Sequence, residues 1–257
     1  MELYALKEGS YSVDSSKKFI PFDPLIHKTS DRPGSLFIHV NPFLLKTPNE
    51  LLVIDTGLGF NNEQGNLIIH ENIRAAGFVP EDVTKVLMSH LHYDHSGGMV
   101  WNKNGQLEPS FPNAEYIINR NEWETAFSKD SSSYRTQIFD IIQRSGQIVF
   151  VEGSGKLTDE ISYELTGGHC EFHQVFHIES ESKHYFYGGD ILPEPEQLQR
   201  NFIAKYDFDG RLARDLRTEY GKQAVSNDWI CLFYHSKGIT SGKVSGNEHD
   251  GFQITEV

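Results

Sequence analysis

Short runs of apolar residues, each bounded by turn-forming residues, mark the first half of the chain. Residues 36–46 and 50–55 are rich in Leu, Ile, Val and Phe, and they predict two strands joined by a short turn. Residues 83–89 predict a further apolar strand. Between these strands, apolar residues at helical spacing over 63–76, followed by Gly77, predict a helix. Strands and helix therefore alternate along this half.

The second half continues the alternation. A strand at 111–120 and two helices rich in aromatic residues are predicted within 101–147. Further strands are predicted at 148–151, 156–165, 172–179, 184–188 and 229–236, with a charged helix at 210–226. This succession is typical of two sheets packed together with helices outside, a layered α/β architecture. No repeat or long linker interrupts it, so we expect a single domain over 1–257 with a helical insertion at about 101–147.

Composition narrows the range of partners. Hydrophobic residues make up 38% of the chain and charged residues 23%, which is typical of a globular protein. The formal net charge of −13 repels phosphate backbones and anionic membranes, so we expect a small-molecule substrate and neither nucleic acid nor membrane as a partner. The chain has no 18-residue apolar run, no signal-peptide pattern at its start and only two cysteines. These features predict a cytoplasmic protein.

Four of the predicted strands are followed directly by side chains that bind metals. These side chains are His90, His92, Asp94 and His95 after the first, His169 after the second, Asp190 after the third and His235 after the fourth. Ligands at the ends of strands can converge at one edge of a sheet. Glycine pairs at 97–98, 167–168 and 188–189 flank three of the four groups, and glycine lets backbone segments approach closely. We therefore expect the seven side chains to form one site.

The number of ligands indicates two metal ions. Five imidazoles and two carboxylates exceed the four ligands of a tetrahedral zinc ion. Two ions roughly 3.5–4 Å apart, sharing a carboxylate and a water molecule, would use all seven. His90 and His92 can face one ion, and the adjacent Asp94 and His95 can face the second. Zinc is the expected metal, and Mn, Fe, Co and Ni suit the same thiolate-free ligand set.

In these motifs the chain resembles the metallo-β-lactamase superfamily over nearly its whole length. The shared features are Asp-Thr-Gly at 55–57, His-x-His-x-Asp-His-x-Gly-Gly at 90–98, and the later ligands His169, Asp190 and His235. The resemblance implies an αβ/βα sandwich of two mixed β-sheets with helices on the outer faces. It also implies the ligand sets: His90, His92 and His169 for one metal ion, Asp94, His95 and His235 for the other, and Asp190 as the bridge.

Within the superfamily, the chain is most similar to the quorum-quenching lactonase and organophosphate (methyl parathion) hydrolase branch. The similarity lies in residues 111–124, in residues 234–257 and in the length of the chain. This branch implies a homodimer. Two positions depart from it. Its lactonases carry a substrate-contacting Tyr three residues after the bridging Asp, where this chain has Pro193, and a Gly where this chain has Phe172.

A few further residues have candidate roles. Asp55 has two interpretations that can hold together: its side chain closes an Asx turn, or it orients a ligand histidine through the outer ring nitrogen. His173 and His177 are expected to pack or hydrogen-bond within a strand. Phe202 and Tyr206 are candidates for lining an apolar substrate pocket.

The predicted chemistry is hydrolysis by a hydroxide that bridges two metal ions, with Asp94 and Asp190 as catalytic residues. One ion would polarise the substrate oxygen, and Asp94 would move a proton to the leaving group. Lactones or carboxylic esters are the predicted substrates. Phosphotriester or phosphodiester hydrolysis and glyoxalase II-like thioester hydrolysis are the alternatives. A metal-binding protein without activity is disfavoured because all seven ligands are present, and diiron oxygen chemistry is disfavoured because that branch has Glu in place of His92.

Overall fold

Two mixed β-sheets packed face to face form the centre of the structure, a computed structural model that describes residues 1–103, 105–129 and 131–257. The first sheet has the strand order β1 (Glu2–Ala5), β5 (Phe43–Lys46), β6 (Leu51–Ile54), β7 (Lys85–Leu87), β10 (Glu115–Asn119) and β11 (Ile148–Val151). The second sheet has the order β12 (Gly155–Lys156), β13 (Ile161–Leu165), β14 (Gln174–Ser180), β15 (Lys183–Tyr187), β16 (Ile230–Leu232), β17 (Ser241–Asn247) and β18 (Gly251–Glu256).

Helices cover the outer faces of both sheets. They are α1 (Ile68–Ala75), α2 (Tyr93–Ser96), α3 (Arg120–Ser128), α4 (Thr136–Ser145), α5 (Glu196–Gln199) and α6 (Gly210–Ser226). The apolar residues of β6 show the layering, because Leu52 and Ile54 pack in the core between the sheets while Val53 packs among α1, α3 and α4. On the other side, α6 packs Ala213 and Tyr220 against the second sheet. The predicted layered α/β sandwich is confirmed.

Two smaller sheets lie beside the sandwich. The first joins β3 (Phe19–Pro21), β2 (Gly9–Val13) and β4 (Leu36–Val40), and the second pairs β8 (Val100–Lys103) with β9 (Gln106–Pro109). Among the residues described, none of the helices combines the length and apolarity needed to cross a lipid bilayer.

The predicted strand at 36–46 is wrong as a single element. It breaks after Val40, and its two parts, β4 and β5, belong to different sheets. The side chain of Asn41 donates to the carbonyl oxygens of Tyr234 and Ser236, at 2.9 Å each, and Pro42 has no N–H to continue a ladder. Asn41-Pro42 is a turn-favouring pair, but the apolar runs on both sides of it led to the prediction of one strand.

Two other segments differ in extent from their prediction. The helix expected at 63–76 begins only at Ile68, because the side chain of Asn62 accepts hydrogen bonds from the backbone N–H groups of Gln64 and Asn66 and holds a turn there. The segment 101–147 contains the two expected helices, α3 and α4. It also supplies β10, which lies inside the first sheet between β7 and β11.

Strand direction brings the predicted ligand segments to one edge. In the first sheet β6, β7, β10 and β11 are parallel, and in the second sheet β15 and β16 are parallel. The chain leaves β7, β15 and β16 towards the candidate ligands, and the β13–β14 connection supplies His169. Gln174 joins the sheets at this edge, donating its backbone N–H to the carbonyl of Ser89 and its side-chain amide to that of Met88.

The loop after β6 lies in close backbone contact with the glycines that follow the histidine cluster. The N–H of Thr56 donates to the carbonyl of His95, and the N–H of Gly98 donates to the carbonyl of Gly57. A Cβ atom on Gly98 would lie 2.1 Å from the carbonyl oxygen of Thr56, and one on Gly97 would lie 2.3 Å from that of Leu58. No larger residue fits at these positions without displacing the loop.

Replacing Gly98 with Ala is therefore expected to lower the free energy of unfolding by about 1–3 kcal/mol, because the added methyl group meets backbone that cannot move alone. Urea denaturation of the two proteins measures the difference. Gly238→Ala is the matched control, since a Cβ there meets nothing within 4 Å. Equal stability of Gly98→Ala and the control would contradict the packing described.

The buried carboxylate of Glu8 also holds the loop after β6. Glu8, between β1 and β2, is 6% exposed and accepts hydrogen bonds from the backbone N–H groups of Leu58 (2.6 Å) and Phe60 (2.9 Å). Burial raises the pKa of Glu8 to about 7, although these backbone amides oppose the shift. The folded protein therefore binds a proton here at a pH where the unfolded chain has lost it.

Because the pKa of Glu8 is higher in the folded state, its protonated form adds stability at low pH, and that stability is lost as the pH rises from about 4.5 to about 7. In metal-free protein, the difference in unfolding free energy between wild type and Glu8→Gln should fall by on the order of 3 kcal/mol between pH 4.5 and pH 8. Paired denaturation curves at the two pH values measure it. A pH-independent difference would show that Glu8 titrates normally.

Candidate metal centre

Three histidines from two segments converge at the edge of the sandwich. His90 and His92 follow β7, and His169 lies in the connection between β13 and β14. The Nδ1 atom of His92 lies 3.0 Å from Nε2 of His90 and 3.0 Å from Nε2 of His169. His90 and His169 are buried and His92 is nearly so. Three ring nitrogens in this arrangement could hold a metal ion.

A second cluster lies beside the first. Asp94 and His95 are on α2, directly after His92, and His235 follows β16. Nε2 of His235 lies 3.7 Å from Oδ2 of Asp94. These three side chains also present ligand atoms close enough together to hold an ion.

Asp190 lies between the two clusters. Its Oδ1 atom is 3.2 Å from Nε2 of His95 and 3.2 Å from Nε2 of His235, while its Oδ2 atom is 3.3 Å from Nε2 of His169. Each oxygen of this carboxylate therefore faces a different cluster. Although they lie 3.2 Å apart, Nε2 of His95 and Oδ1 of Asp190 are both buried and make no hydrogen bond within the residues that the structure describes, a state that is costly unless another group binds them. The seven side chains fit a pair of cations.

Asp55 orients one of these histidines. It follows β6 with a positive φ of 51°, and its Oδ2 atom lies 2.7 Å from Nδ1 of His95. The same carboxylate accepts hydrogen bonds from the backbone and hydroxyl of Ser89 and from the hydroxyl of Tyr187. With Nδ1 engaged by Asp55, the Nε2 atom of His95 points into the cluster.

The outer nitrogens of other histidines are also bound. Nδ1 of His169 lies 2.9 Å from Oδ1 of Asp207, and Nδ1 of His235 lies 2.6 Å from the carbonyl oxygen of His39. The sequence carried no sign of Asp207, which is 38 residues from His169. Its loop is held there by the backbone N–H groups of Phe208 and Asp209, which donate to the carbonyls of His169 and Gly168.

His173 is a packed and hydrogen-bonded residue next to the site. Its Nε2 atom accepts the backbone N–H of Asp190 at 3.1 Å, and its Nδ1 atom lies 3.0 Å from the hydroxyl of Thr166. Since a backbone N–H can only donate, Nε2 carries no proton. His173 thus fixes the backbone of Asp190 rather than joining the ligand set. His177 lies on β14, 2.9 Å from His184.

Burial and neighbouring charges set the protonation of the cluster. Burial lowers the pKa of His90 and His92 well below the usual range, which keeps these imidazoles neutral as metal binding requires. Although burial opposes charge on His95, the carboxylates of Asp190 and Asp55 raise its pKa well above the usual range. Burial likewise opposes charge on Asp190, yet the facing imidazoles hold its pKa well below the usual range.

A cavity of about 310 Å³ opens above the two clusters. Its floor is formed by His92, Asp94, His169, Asp190 and His235, and one wall is formed by the apolar residues Val13, Phe19, Leu36 and Ile38 of the three-stranded sheet. Tyr206 lines this cavity. Phe202 does not line it, and its exposed ring lies 6.0 Å from the guanidinium of Arg217. Pro193 supplies only its carbonyl oxygen, which accepts the N–H of His235.

Known proteins with the same features include hydrolases. The family model of the metallo-beta-lactamase superfamily matches residues 37–235. The N-acyl homoserine lactonase AiiA of Bacillus thuringiensis subsp. kurstaki is 27% identical over 199 residues, covering 69% of this chain and 72% of that protein. The N-acyl homoserine lactonase AttM of Agrobacterium fabrum is 35% identical over 150 residues, covering 54% of this chain and 48% of that protein.

Solved structures show the same fold. A probable metal-dependent hydrolase from Staphylococcus aureus superposes with a TM-score of 0.79 at 20% identity, covering 100% of this chain and 97% of that one. AidC, a dizinc quorum-quenching lactonase, superposes with a TM-score of 0.72 at 21% identity, covering 99% and 94%.

Replacing Asp55 with Asn should weaken metal binding about 10–100-fold, because the amide cannot accept from all the donors that hold His95 in place. Competition with a chelator measures this affinity. We also expect the free energy of unfolding to fall by about 1–3 kcal/mol, because a buried donor loses its partner. Asp159→Asn, at an exposed position, is the control. Unchanged metal affinity in Asp55→Asn would show that Asp55 does not orient His95 for metal binding.

Proposed function

The chain belongs to the metallo-beta-lactamase superfamily, and we propose that it is a dinuclear metal-dependent hydrolase that opens lactones or cleaves carboxylic esters. One observation carries the proposal: the two oxygens of Asp190 face two separate ligand clusters, 3.2 Å from His95 and 3.3 Å from His169. A carboxylate in this position suits a ligand shared by two ions.

We assign the first ion to His90, His92 and His169, and the second to Asp94, His95 and His235, with Asp190 shared. When bound, the two ions supply Lewis acidity and an activated water near neutral pH. Zinc is the proposed metal, since the ligands are imidazoles and carboxylates and the structural neighbour AidC is a dizinc lactonase.

The surrounding residues prepare this site for hydrolysis. Asp55, Asp207 and the carbonyl of His39 fix the outer nitrogens of three histidines, so each ring is oriented before substrate arrives. Asp94 faces the cavity beside His235, where its carboxylate can pass a proton to the leaving group.

The cavity suits an uncharged acyl compound. Its apolar wall on the three-stranded sheet can cover an acyl chain, at about 0.8 kcal/mol for each buried methylene. The curated relatives AiiA and AttM are N-acyl homoserine lactonases, which makes these lactones the first class to test. The net charge of −13 disfavours a polyanionic nucleic acid. The homodimer and the cytoplasmic location stay predictions.

Phosphotriester hydrolysis is the second candidate. It is favoured by Pro193, which offers the site no hydroxyl at the position where the resembling lactonases carry Tyr. A phosphotriester has no carbonyl to be oriented by that hydroxyl, so this reaction is less affected by its absence.

The test is hydrolysis by the zinc-loaded protein of a panel: N-hexanoyl and N-decanoyl homoserine lactone, an aryl acetate, a thioester and paraoxon, with metal content measured on the same sample. We expect two ions per chain and a preference for the lactones or aryl esters. A preference for paraoxon would support phosphotriester hydrolysis instead. A preference for the thioester would contradict both candidates and indicate a thioester hydrolase.

Metal removal and ligand substitution should abolish the reaction. Dialysis against a chelator, His92→Ala or Asp190→Asn should each reduce kcat/KM more than about 100-fold, beyond the usual effect of an outer partner. Added zinc should restore only the dialysed wild type. His249→Ala, at an exposed histidine outside the site, is the control. Normal turnover by metal-free protein would overturn the proposed function.

A further inference from the structure

Glu122 is a buried carboxylate that the proposed reaction does not use. It lies in the first turn of α3 and is 1% exposed. In the part of the chain that the structure describes, no Lys or Arg nitrogen lies within 4 Å of it. Burying an ionisable group without a cation is costly, so stability alone does not explain a Glu at this position.

The carboxylate accepts hydrogen bonds from three separate segments. Its Oε1 atom takes the backbone N–H of Leu91 at 3.2 Å and the hydroxyl of Tyr134 at 3.0 Å. Its Oε2 atom takes the thiol of Cys170 at 3.4 Å. These contacts reach 31, 12 and 48 residues along the chain, so they are tertiary and do not belong to a local cap of the helix.

Each of the three donors adjoins a histidine of the first cluster. Leu91 lies between His90 and His92, and Cys170 directly follows His169. The ring of Tyr134 lies 5.2 Å from that of His92 and lines the cavity. One side chain therefore holds the backbone between His90 and His92, the side chain that follows His169, and the aromatic ring packed against His92.

The charge of Glu122 also suits this position. The first cluster consists of three imidazoles, whereas the second contains the carboxylate of Asp94. Apart from the shared Asp190, the first cluster thus brings no negative charge of its own to a divalent ion. Burial raises the pKa of Glu122, but the hydrogen bonds from its three donors favour its ionised form. An ionised carboxylate behind the imidazoles partly offsets that difference.

We propose that Glu122 is a positioning residue that keeps His90, His92 and His169 converged on the first metal ion. This proposal depends on the proposed function in one respect, namely that the three histidines hold a metal ion. It places Glu122 behind the ligands, and Glu122 itself contacts neither metal nor substrate.

The test compares Glu122→Ala, Glu122→Gln and Glu124→Gln, the last being an exposed Glu on the same helix. Chelator competition gives the affinity for Co²⁺ at each site, the visible spectrum of the cobalt-loaded protein reports ligand geometry, and thermal unfolding of metal-free protein reports the fold. Glu122→Ala should weaken the first site about 10–100-fold and alter the spectrum. Glu122→Gln should recover part of the loss, because its amide oxygen can still accept from Leu91 and Tyr134. Glu124→Gln should match wild type.

Tyr134→Phe is the fourth variant, since it removes one of the three donors and keeps the ring. If Glu122→Ala does not fold, Tyr134→Phe should still fold and weaken cobalt binding a few-fold, with an unfolding temperature lowered only by the loss of one buried hydrogen bond. The proposal is overturned if the folded variants keep wild-type cobalt affinity and spectrum, even where the unfolding temperature falls. These readouts need no substrate. A wild-type protein that binds two cobalt ions but hydrolyses no compound of the panel would contradict the proposed function, and the test of Glu122 would still be valid.

Discussion

The carboxylate of Asp55 is the contact on which the rest of the centre depends. It lies at the end of β6 and binds Ser89 beyond β7, Tyr187 at the end of β15 and His95 on α2. These partners belong to both sheets, so a single buried acid joins the two halves of the sandwich where the clusters form. Because it also directs the ring of His95, the packing of the sheets and the geometry of the site are set by the same hydrogen bonds.

The convergence of the strand-end side chains could be predicted from sequence because their signal is local. Each follows an apolar run directly, and parallel strands bring such ends together. Among the residues that hold the candidate ligands, only Asp55 could be proposed from the sequence, because it directly follows an apolar strand. Asp207 and the carbonyl of His39 reach their histidines through tertiary contacts, as Glu122 reaches Cys170 beside His169, and nothing near them in the chain marks the partner. The bend at Asn41 differs, because Asn41-Pro42 is a local turn signal that the flanking apolar runs outweighed, while the side-chain partners that hold the bend lie 193 and 195 residues away.

The two clusters differ in how they are supported. The first contains imidazoles alone and is held from behind by Glu122, whereas the second includes the carboxylate of Asp94 and is held by Asp55 and by backbone. Between them Asp190 is anchored through its own N–H by His173. Rigid support on every side means that the side chains are organised before any ion binds, which reduces the ordering cost of binding.

The strand β4 serves the site in two separable ways. Leu36 and Ile38 present side chains to the cavity, while His39, directly after Ile38, holds His235 through its carbonyl oxygen. A carbonyl is available from every amino acid, so the wall can change its shape and polarity without disturbing the ligand. In β4, side-chain identity and the geometry around His235 are thus independent of each other.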